Sequence, residues 1–390
     1  MQIGLFLLAL AYVLSQFFRA FLAVLTAPLQ ADLGVGPDVL ATASGLWFLS
    51  FAAMQIPVGW ALDTLGPRRT AGWLLLIGGA GGAAVFAIAQ GPLYILVAML
   101  FIGVGCSPVL MASFYIFART FPPARFATLA AMMIGVGTVG NLISSYPMAL
   151  AADTIGWRAA MWLLSAASAA VALGILISVR DPAKPEGEEK GSLLDLLRMP
   201  VLWLLLPIMF VNYAPIGAVR GLWIGPYLTD VFALTVSQIG IATLAMSLAM
   251  IAGTLAYGPL DRILGTRKWV VFAGNAVTAL LLVLLIVFSA TNAWLSVAIM
   301  AGIGFFGASF PVIIAHARGF FPAHLTGRGV TLMNLFGIGG VGVMQFASGR
   351  IHSGWSGGAA DAPYIAIFAF LAAALVAGLV VYALSRDTTG

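Results

Sequence analysis

The stretch GWALDTLGPRR, Gly59–Arg69, decides the fold of this chain. Its pattern of glycine, aspartate, glycine and paired basic residues returns half a chain length later in GPLDRILGTRK, Gly258–Lys268. Each copy joins two long apolar segments. The repetition therefore predicts a chain built from two related halves.

The composition places the chain in a lipid bilayer. Hydrophobic residues make up 62% and charged residues 8% of the sequence, whereas a soluble domain contains about 25% charged residues. The mean hydropathy is +1.07. Apolar runs of about 20 residues, long enough to cross the hydrocarbon layer, recur along the whole length. They predict an all-α integral membrane protein with twelve transmembrane helices in two pseudo-symmetric six-helix bundles, at 3–28, 41–62, 70–90, 93–118, 126–150, 158–179, 201–228, 237–259, 269–290, 293–317, 327–348 and 364–385.

Basic residues are distributed unequally between the two sets of loops. With a cytoplasmic amino terminus, the predicted cytoplasmic segments hold fourteen lysines and arginines, and the opposite side holds only Arg158 and Arg350. This asymmetry predicts that both termini are cytoplasmic, in a bacterial inner membrane. It also explains the pI of 9.6, so we expect no nucleic-acid partner. The first apolar run has no basic leader and no cleavage site, which predicts a retained helix.

The longest polar stretch, RDPAKPEGEEKGSLLDLLRM at Arg180–Met199, separates the halves. Its proline and glutamate content is typical of a linker. Within it, Leu193–Leu197 could form a short amphipathic helix. The predicted domains are an N-terminal six-helix bundle, a cytoplasmic linker and a C-terminal six-helix bundle, at 1–180, 181–199 and 200–390.

Glycine is abundant and clustered. The sequence has 45 glycines, with clusters at 78–82, 103–105, 135–140 and 337–342. Because small residues let membrane helices approach closely, these clusters predict tight helix packing.

Two arginines occupy matching places in the two halves. Arg19 lies in the first predicted span and Arg220 in the seventh, and no span carries an acidic residue at comparable depth. A charge inside a bilayer costs roughly 2.5 to 3.5 kcal/mol on insertion scales, so it is seldom kept without a partner. Guanidinium pairs with two oxygens of a carboxylate, phosphate or sulfonate. We interpret the pair as a site for an anionic substrate; the alternative is that either side chain extends to the membrane interface.

Polar residues near the arginines extend the candidate substrate site. In the first predicted span, Tyr12 and Gln16 share a helix face with Arg19. In the seventh, Asn212 and Tyr213 gather on one side with the second arginine. In other spans an interhelical hydrogen bond is an equal alternative for each polar candidate. These candidates are Tyr115, Asn141, Asn334 and Gln345.

Several further groups have two interpretations. His316 could carry a coupling proton, but its place near the end of a span favours a structural role. Trp223 and Tyr227 could close the outer mouth of a site, although an interfacial aromatic belt is favoured. The histidines are scattered, and Cys106 is the only cysteine. We predict no metal site and no cofactor.

The repeated loop resembles the signature loop of the major facilitator superfamily, and the resemblance extends over essentially the whole chain. It implies that the loop is a conformational latch, whose charged contacts break when the two bundles rock. A basic turn that only follows the positive-inside rule is the alternative. The residues that carry the resemblance are Gly59, Asp63, Gly66, Arg68 and Arg69, with a degenerate copy at Gly258, Asp261, Gly265, Arg267 and Lys268.

The placement of Arg19 and Arg220 resembles the organophosphate and organic-anion transporter branches of that superfamily. It implies a secondary transporter that moves a small organic anion by alternating access, as a symporter or an exchanger. The expected partners are the anionic substrate, a coupling proton or counter-anion, and the lipid bilayer. The alternative is a proton-driven exporter of amphipathic drugs or metabolites. An enzyme is not expected, since the glycine-rich stretch at 78–82 lies within a span and lacks a Walker lysine.

Overall fold

The computed structural model of the protein describes residues 2–182, 193–322 and 325–388. Every regular element in these ranges is a helix. Ten helices are long and apolar enough to cross a membrane, and two bent helix pairs raise the number to twelve if each pair is one span. The all-α membrane fold predicted from the composition is confirmed.

The first six spans, α1 to α6 in chain order, are mostly interrupted. Their parts are α1, Gln2–Phe17 and Leu22–Leu33; α2, Pro37–Ala53 and Gln55–Thr64; α3, Pro67–Leu74, the π-helical Leu75–Ala80 and Gly81–Ala87; α4, Pro92–Cys106 and Val109–Thr120; α5, Pro123–Ile143 and Tyr146–Thr154; and α6, Trp157–Ser178.

The remaining spans are α7 to α12. A short helix, Leu193–Leu197, precedes them, as the sequence predicts. Their parts are α7, Leu202–Asn212, Ala214–Ala218, the π-helical Val219–Trp223 and Ile224–Phe232; α8, Val236–Leu264; α9, Lys268–Val287; α10, Ala293–Phe306 and Phe310–Arg318; α11, Thr326–Trp355; and α12, Ala362–Ala383.

The chain divides into two compact units. Unit 1 comprises Met1–Glu186 and Val236–Ile241, and unit 2 comprises Gly187–Thr235 and Ala242–Gly390. The domain limits proposed from the sequence place the start of α8, Val236–Ile241, in the C-terminal bundle. Those limits stay a prediction. Residues 183–192 of the predicted linker lie outside the described ranges.

The break in α1 follows from its backbone and its aromatic side chains. The amide hydrogens of Arg19 and Ala20 bond to carbonyls three residues back, the pattern of a tight 3₁₀ turn rather than an α-helix. The two parts of α1 meet at 56°. The rings of Phe17, Phe18 and Phe21 pack on one another there, with centroids between 5.6 and 5.8 Å apart. The break is therefore a packed part of the fold.

Glycines let neighbouring helices meet through their backbones. A Cβ atom at Gly105 of α4 would overlap the backbone of Gly79 in α3, and one at Gly140 of α5 would overlap the backbone of Val13 in α1. In unit 2, a Cβ atom at Gly340 of α11 would overlap the α7 backbone. The close packing predicted from the glycine clusters is confirmed at these positions.

Replacing Gly105 tests this packing. The Gly105→Ala change forces α3 and α4 apart, and overpacking of this kind costs about 1 to 3 kcal/mol. We expect a lower thermal unfolding temperature for the purified variant in detergent. The matched control is Gly135→Ala, since nothing lies within 4 Å of a Cβ atom at that helical position. Equal unfolding temperatures for both variants would contradict the packing argument.

Candidate functional site

Arg19 lies in the break of α1, where two aromatic rings of α2 hold its guanidinium. Its Cζ atom is 5.3 Å from the ring centroid of Trp47 and 5.0 Å from that of Phe51. The two rings are themselves stacked, with centroids 5.1 Å apart. Among the described residues no carboxylate lies within 4.0 Å of Arg19. The rings fix the guanidinium in position but do not neutralise its charge.

Buried polar atoms on Arg19 and on two other residues of α1 and α2 have no hydrogen-bond partner in the described part of the chain. They include Arg19 Nε, Trp47 Nε1 and Gln16 Oε1. The Gln16 Nε2 atom donates to the Tyr12 hydroxyl at 2.9 Å, which leaves Oε1 as the unsatisfied end of the amide. Because buried polar groups are nearly always hydrogen-bonded, these atoms retain hydrogen-bonding capacity that the described residues do not satisfy.

Arg220 lies in the π-helical segment of α7. Such segments are rare and are frequent at functional sites. The side chain is only 1% exposed, so its guanidinium does not extend to the protein surface as the interfacial alternative requires. Both arginines thus lie where a regular α-helix is interrupted.

The other predicted substrate-binding residues of unit 2 lie in different surroundings. Asn212 is buried and donates to Asn275 Oδ1 at 2.7 Å and to Ser309 Oγ at 3.0 Å, so it joins three spans of the unit. Tyr213 packs on a phenylalanine ring of α10, with centroids 5.8 Å apart. Asn334 is half-buried on α11. Their roles in substrate binding stay predictions.

His316 of α10 is buried between hydrogen-bond partners on and after α12. Its Nδ1 lies 2.7 Å from the Tyr382 hydroxyl, and its Nε2 lies 2.8 Å from the Arg386 carbonyl oxygen. Since a carbonyl only accepts, Nε2 donates, and in the neutral imidazole Nδ1 then accepts from the tyrosine. This arrangement joins α10 to the end of α12, the kind of structural role that the sequence favours. Proton coupling through His316 stays a prediction.

The first copy of the repeated loop is closed by an aspartate that follows α6. Gly66 has a φ of 87°, a conformation that favours glycine, and a Cβ atom there would lie 2.7 Å from Asp181 Cγ. The Oδ1 atom of Asp181 accepts from the Arg68 backbone N–H at 2.7 Å, at the start of α3. Its Oδ2 atom lies 3.8 Å from the Arg68 guanidinium. Asp181 therefore caps α3 from the segment that follows α6.

The remaining residues of the predicted latch border the same loop. Asp63 lies 4.0 Å from Arg119 of α4, and the Asp63 side chain is 65% exposed. Arg119 also packs on the ring of Tyr115, with its Cζ atom 4.3 Å from the centroid. A cavity of about 200 Å³, lined in part by Tyr115 and Arg69, opens beside the loop. Gly59 lies in α2 with open space around it. The structure thus groups Tyr115 with the loop.

The second copy of the loop is built in the same way. Asp387, which follows α12, accepts from the backbone N–H of Arg267 at 3.2 Å and of Lys268 at 3.4 Å, at the start of α9. The Thr266 hydroxyl also donates to Asp387. Arg267 Nε donates to Asp261 Oδ2 at 3.2 Å. In each half, an aspartate after the sixth span caps the third.

These two capping aspartates are absent from the site predicted from sequence, although a signal for them exists. Asp181 follows Arg180, and Asp387 follows Arg386, so the same dipeptide stands after the last span of each half. Aligning the two halves beyond their last spans would find this repeat. The aromatic pair that holds Arg19 has no such signal, because Trp47 and Phe51 are ordinary residues in an apolar helix.

Metal chemistry has no candidate centre in the described ranges, where no group of three or more His, Cys, Asp or Glu side chains could hold an ion. Cys106 is buried in α4.

Comparison with known proteins assigns the family. The sequence profile described as Major Facilitator Superfamily matches residues 8–224 and, a second time, residues 205–390. The chain belongs to this superfamily. The two matches overlap at 205–224, and each contains one copy of the repeated loop. A sequence search of curated proteins finds no match.

Several solved structures of transporters are similar to this major facilitator protein. A D-xylose–proton symporter has a TM-score of 0.79 at 13% identity, with 98% of each chain covered. A nucleoside transporter has a TM-score of 0.76 at 15% identity, covering 98% of this chain and 99% of the other. A bacterial homologue of the human lysosomal transporter Spinster has a TM-score of 0.74 at 16% identity, covering 97% and 94%.

At this level of identity the similarity to solved structures shows the fold alone. The family match indicates a membrane transporter rather than an enzyme. The resemblance to organic-anion branches, and the roles of the arginines and of the latch, stay predictions.

The Asp387 cap generates a prediction about stability and pH. Partial burial raises the pKa of Asp387, but hydrogen bonds from Thr266 and from backbone N–H groups lower this pKa more, so the net pKa is well below the ordinary value. A carboxylate with a lowered pKa stabilises the fold above its unfolded-state pKa, about 3.9, and this stabilisation is lost as the pH falls through the folded-state pKa.

We therefore expect Asp387→Ala to lose on the order of 1 kcal/mol at pH 7. The difference in unfolding temperature between wild type and variant should shrink as the pH falls from about 5 to 3. The control is Asp153→Ala, which removes an exposed carboxylate. A difference that stays constant over this pH range would show that the charge of Asp387 does not stabilise the cap.

Proposed function

We propose that this major facilitator protein is a secondary transporter for a small organic anion, a carboxylate, phosphate or sulfonate, in the bacterial inner membrane. Both termini are cytoplasmic in this proposal, as the distribution of basic residues favours. Transport proceeds by alternating access and is driven by symport with a proton or by exchange for a counter-anion. Family membership supports secondary transport, and the arginines support the anion.

The observation that carries the proposal is the environment of Arg19. Its guanidinium is half-buried in a helix break, rests on two aromatic rings, and has no carboxylate within 4.0 Å in the described ranges. A positive charge at a site of low dielectric constant is stabilised strongly by an opposite charge. A substrate anion supplies that charge, and the planar guanidinium can donate to two of its oxygens.

Arg220 supports the same proposal from unit 2. It is buried, lies in a π-helical segment, and occupies the position of the second half that matches Arg19 in the first. We propose that it also binds the anion during the transport cycle. Arginine suits this role better than lysine because its donors form a rigid fork that matches two oxygens.

Arginine substitutions test the function. A thermal-shift screen of the purified protein against carboxylates, phosphates and sulfonates first selects a ligand, because a ligand that binds only the folded state raises its stability. Arg19→Ala and Arg220→Ala should each weaken binding of that compound by about 2 to 5 kcal/mol. The Arg→Lys variants keep the charge without the fork and should weaken binding less. The double Ala variant should lose less than the sum if both residues hold one ligand.

The matched control is Arg350→Ala, which removes an exposed arginine of α11 and should leave affinity unchanged. Wild-type affinity in either of the two test Ala variants would reject the anion site. That result, together with stabilisation by amphipathic compounds instead of small anions, would favour a proton-driven exporter.

The latch is tested by Asp63→Asn. Asp63 is mostly exposed and lies 4.0 Å from Arg119, and exposed ion pairs contribute at most about 1 kcal/mol. We expect insertion and ligand affinity to be retained, and the transport rate in proteoliposomes to fall by roughly two- to fivefold, because the charge contact biases one state of the cycle. Asp153→Asn, an exposed change elsewhere in unit 1, is the control. Equal rates in the two variants would count against a latch.

A further inference from the structure

We infer that the anion bound at Arg19 carries a hydrogen-bond donor, a hydroxyl or an ammonium group, close to its charged group. The inference deepens the proposed function and rests on it. It comes from buried groups of unit 1 that have no hydrogen-bond partner in the described ranges, among them donors on Arg19 and Trp47 and an acceptor on Gln16. The Arg19 amide bonds to the Gln16 carbonyl in the 3₁₀ pattern, which brings side chains three residues apart onto the same side of the turn.

The acceptor is the Oε1 atom of Gln16. The Gln16 side chain is 8% exposed, and Oε1 has no partner among the described residues. The Nε2 atom of the same amide donates to the Tyr12 hydroxyl at 2.9 Å, so Oε1 is the end of the amide that remains available in this arrangement. Gln16 lies in the last turn of the first part of α1, three residues before Arg19. A ligand oxygen without hydrogen cannot satisfy Oε1, because only a donor can.

The unsatisfied donors are Arg19 Nε and Trp47 Nε1. Trp47 is fully buried, and its indole N–H has no acceptor in the described ranges. Its ring packs 5.3 Å from the Arg19 Cζ atom, so the indole and the guanidinium are direct neighbours. The two donors suit the oxygens of a carboxylate, phosphate or sulfonate. The site therefore matches a ligand with an oxyanion and an adjacent donor, such as a hydroxy acid or an amino acid.

The acceptor on Gln16 is expected to control selectivity between ligands, and the donors on Arg19 and Trp47 are expected to control affinity for all of them. Binding sites built to hydrogen-bond a ligand hydroxyl reject analogues that lack it, because a buried protein group is then left unpaired. We expect Gln16 to set the preference for the hydroxylated ligand. Trp47 and Arg19 contact the oxyanion that both kinds of ligand share. Substitutions at these two residues should therefore weaken the binding of both ligands by similar factors.

Matched pairs of small anions test the inference. Each pair differs by one hydroxyl: propanoate and lactate, ethanesulfonate and isethionate, and ethyl phosphate and glycol phosphate. Dissociation constants are measured by calorimetry on the full-length protein in detergent. In the pair that binds, the hydroxylated member should bind at least about tenfold more tightly.

Three variants assign the preference to the named atoms. Gln16→Leu should bring the two members of the pair to within about twofold of each other, because no buried acceptor then requires a donor. Trp47→Phe removes the indole donor and should weaken both members by a similar factor. The control, Gln55→Leu, removes an equally buried amide of α2 whose Nε2 atom donates to a backbone carbonyl, and it should keep the preference of the wild type.

The outcomes distinguish the inference from the function on which it rests. If both members of a pair bind equally, and Arg19→Ala weakens both, the anion site stands and the inference is overturned, with a water satisfying Gln16. A preference for the member without the hydroxyl, or a preference that survives Gln16→Leu, also overturns it. If no pair shows binding that depends on Arg19, the proposed function and the inference fail together.

Discussion

The cost of holding a positive charge inside an apolar helix bundle governs the candidate site of this protein. A guanidinium removed from water needs either an opposite charge or a set of polar and aromatic contacts. In unit 1 the stacked rings of Trp47 and Phe51 hold Arg19, and cation–π contacts stabilise without neutralising. The charge remains available for an anion, and this availability makes Arg19 the best candidate for the substrate contact.

The backbone around both arginines is adapted to this requirement. Arg19 lies in a turn between two helices that meet at 56°, and Arg220 lies in a π-helical segment. Interrupted helices free backbone groups and let a side chain leave the regular helix surface, as binding sites of secondary transporters commonly require. Phe17, Phe18 and Phe21 pack on one another at the break in α1, and Gly140 of α5 meets the α1 backbone just before it. The irregularity is therefore confined to short segments within otherwise tightly packed spans.

The repeated loop shows how charge is used at the helix ends. Asp181 caps the start of α3 and Asp387 caps the start of α9, each from the segment after the last span of its half. A carboxylate at a helix start satisfies free N–H groups and interacts favourably with the helix dipole. These caps join elements within a unit, whereas Asp63 is largely exposed and, in the described ranges, makes a long contact with Arg119. Exposure leaves Asp63 free to change partners, as a latch must.

The sequence by itself determined the fold class, the family and the repeat. Twelve apolar runs and two copies of one loop are periodic, local signals, because the bilayer sets the length of each helix and glycine sets the turn conformation at Gly66. The glycine clusters likewise predicted where helices touch. The two arginines were identified from sequence because a charge in an apolar run is conspicuous.

Only the tertiary structure decided what surrounds those arginines. The rings that hold Arg19 come from a different helix, and no periodicity connects Trp47 with position 19. Asn212, a substrate candidate by sequence, joins Asn275 and Ser309, and Tyr115 lies with the loop beside Arg119. Side-chain partners depend on which helix faces are packed together, and that arrangement is a property of the whole fold rather than of any one segment.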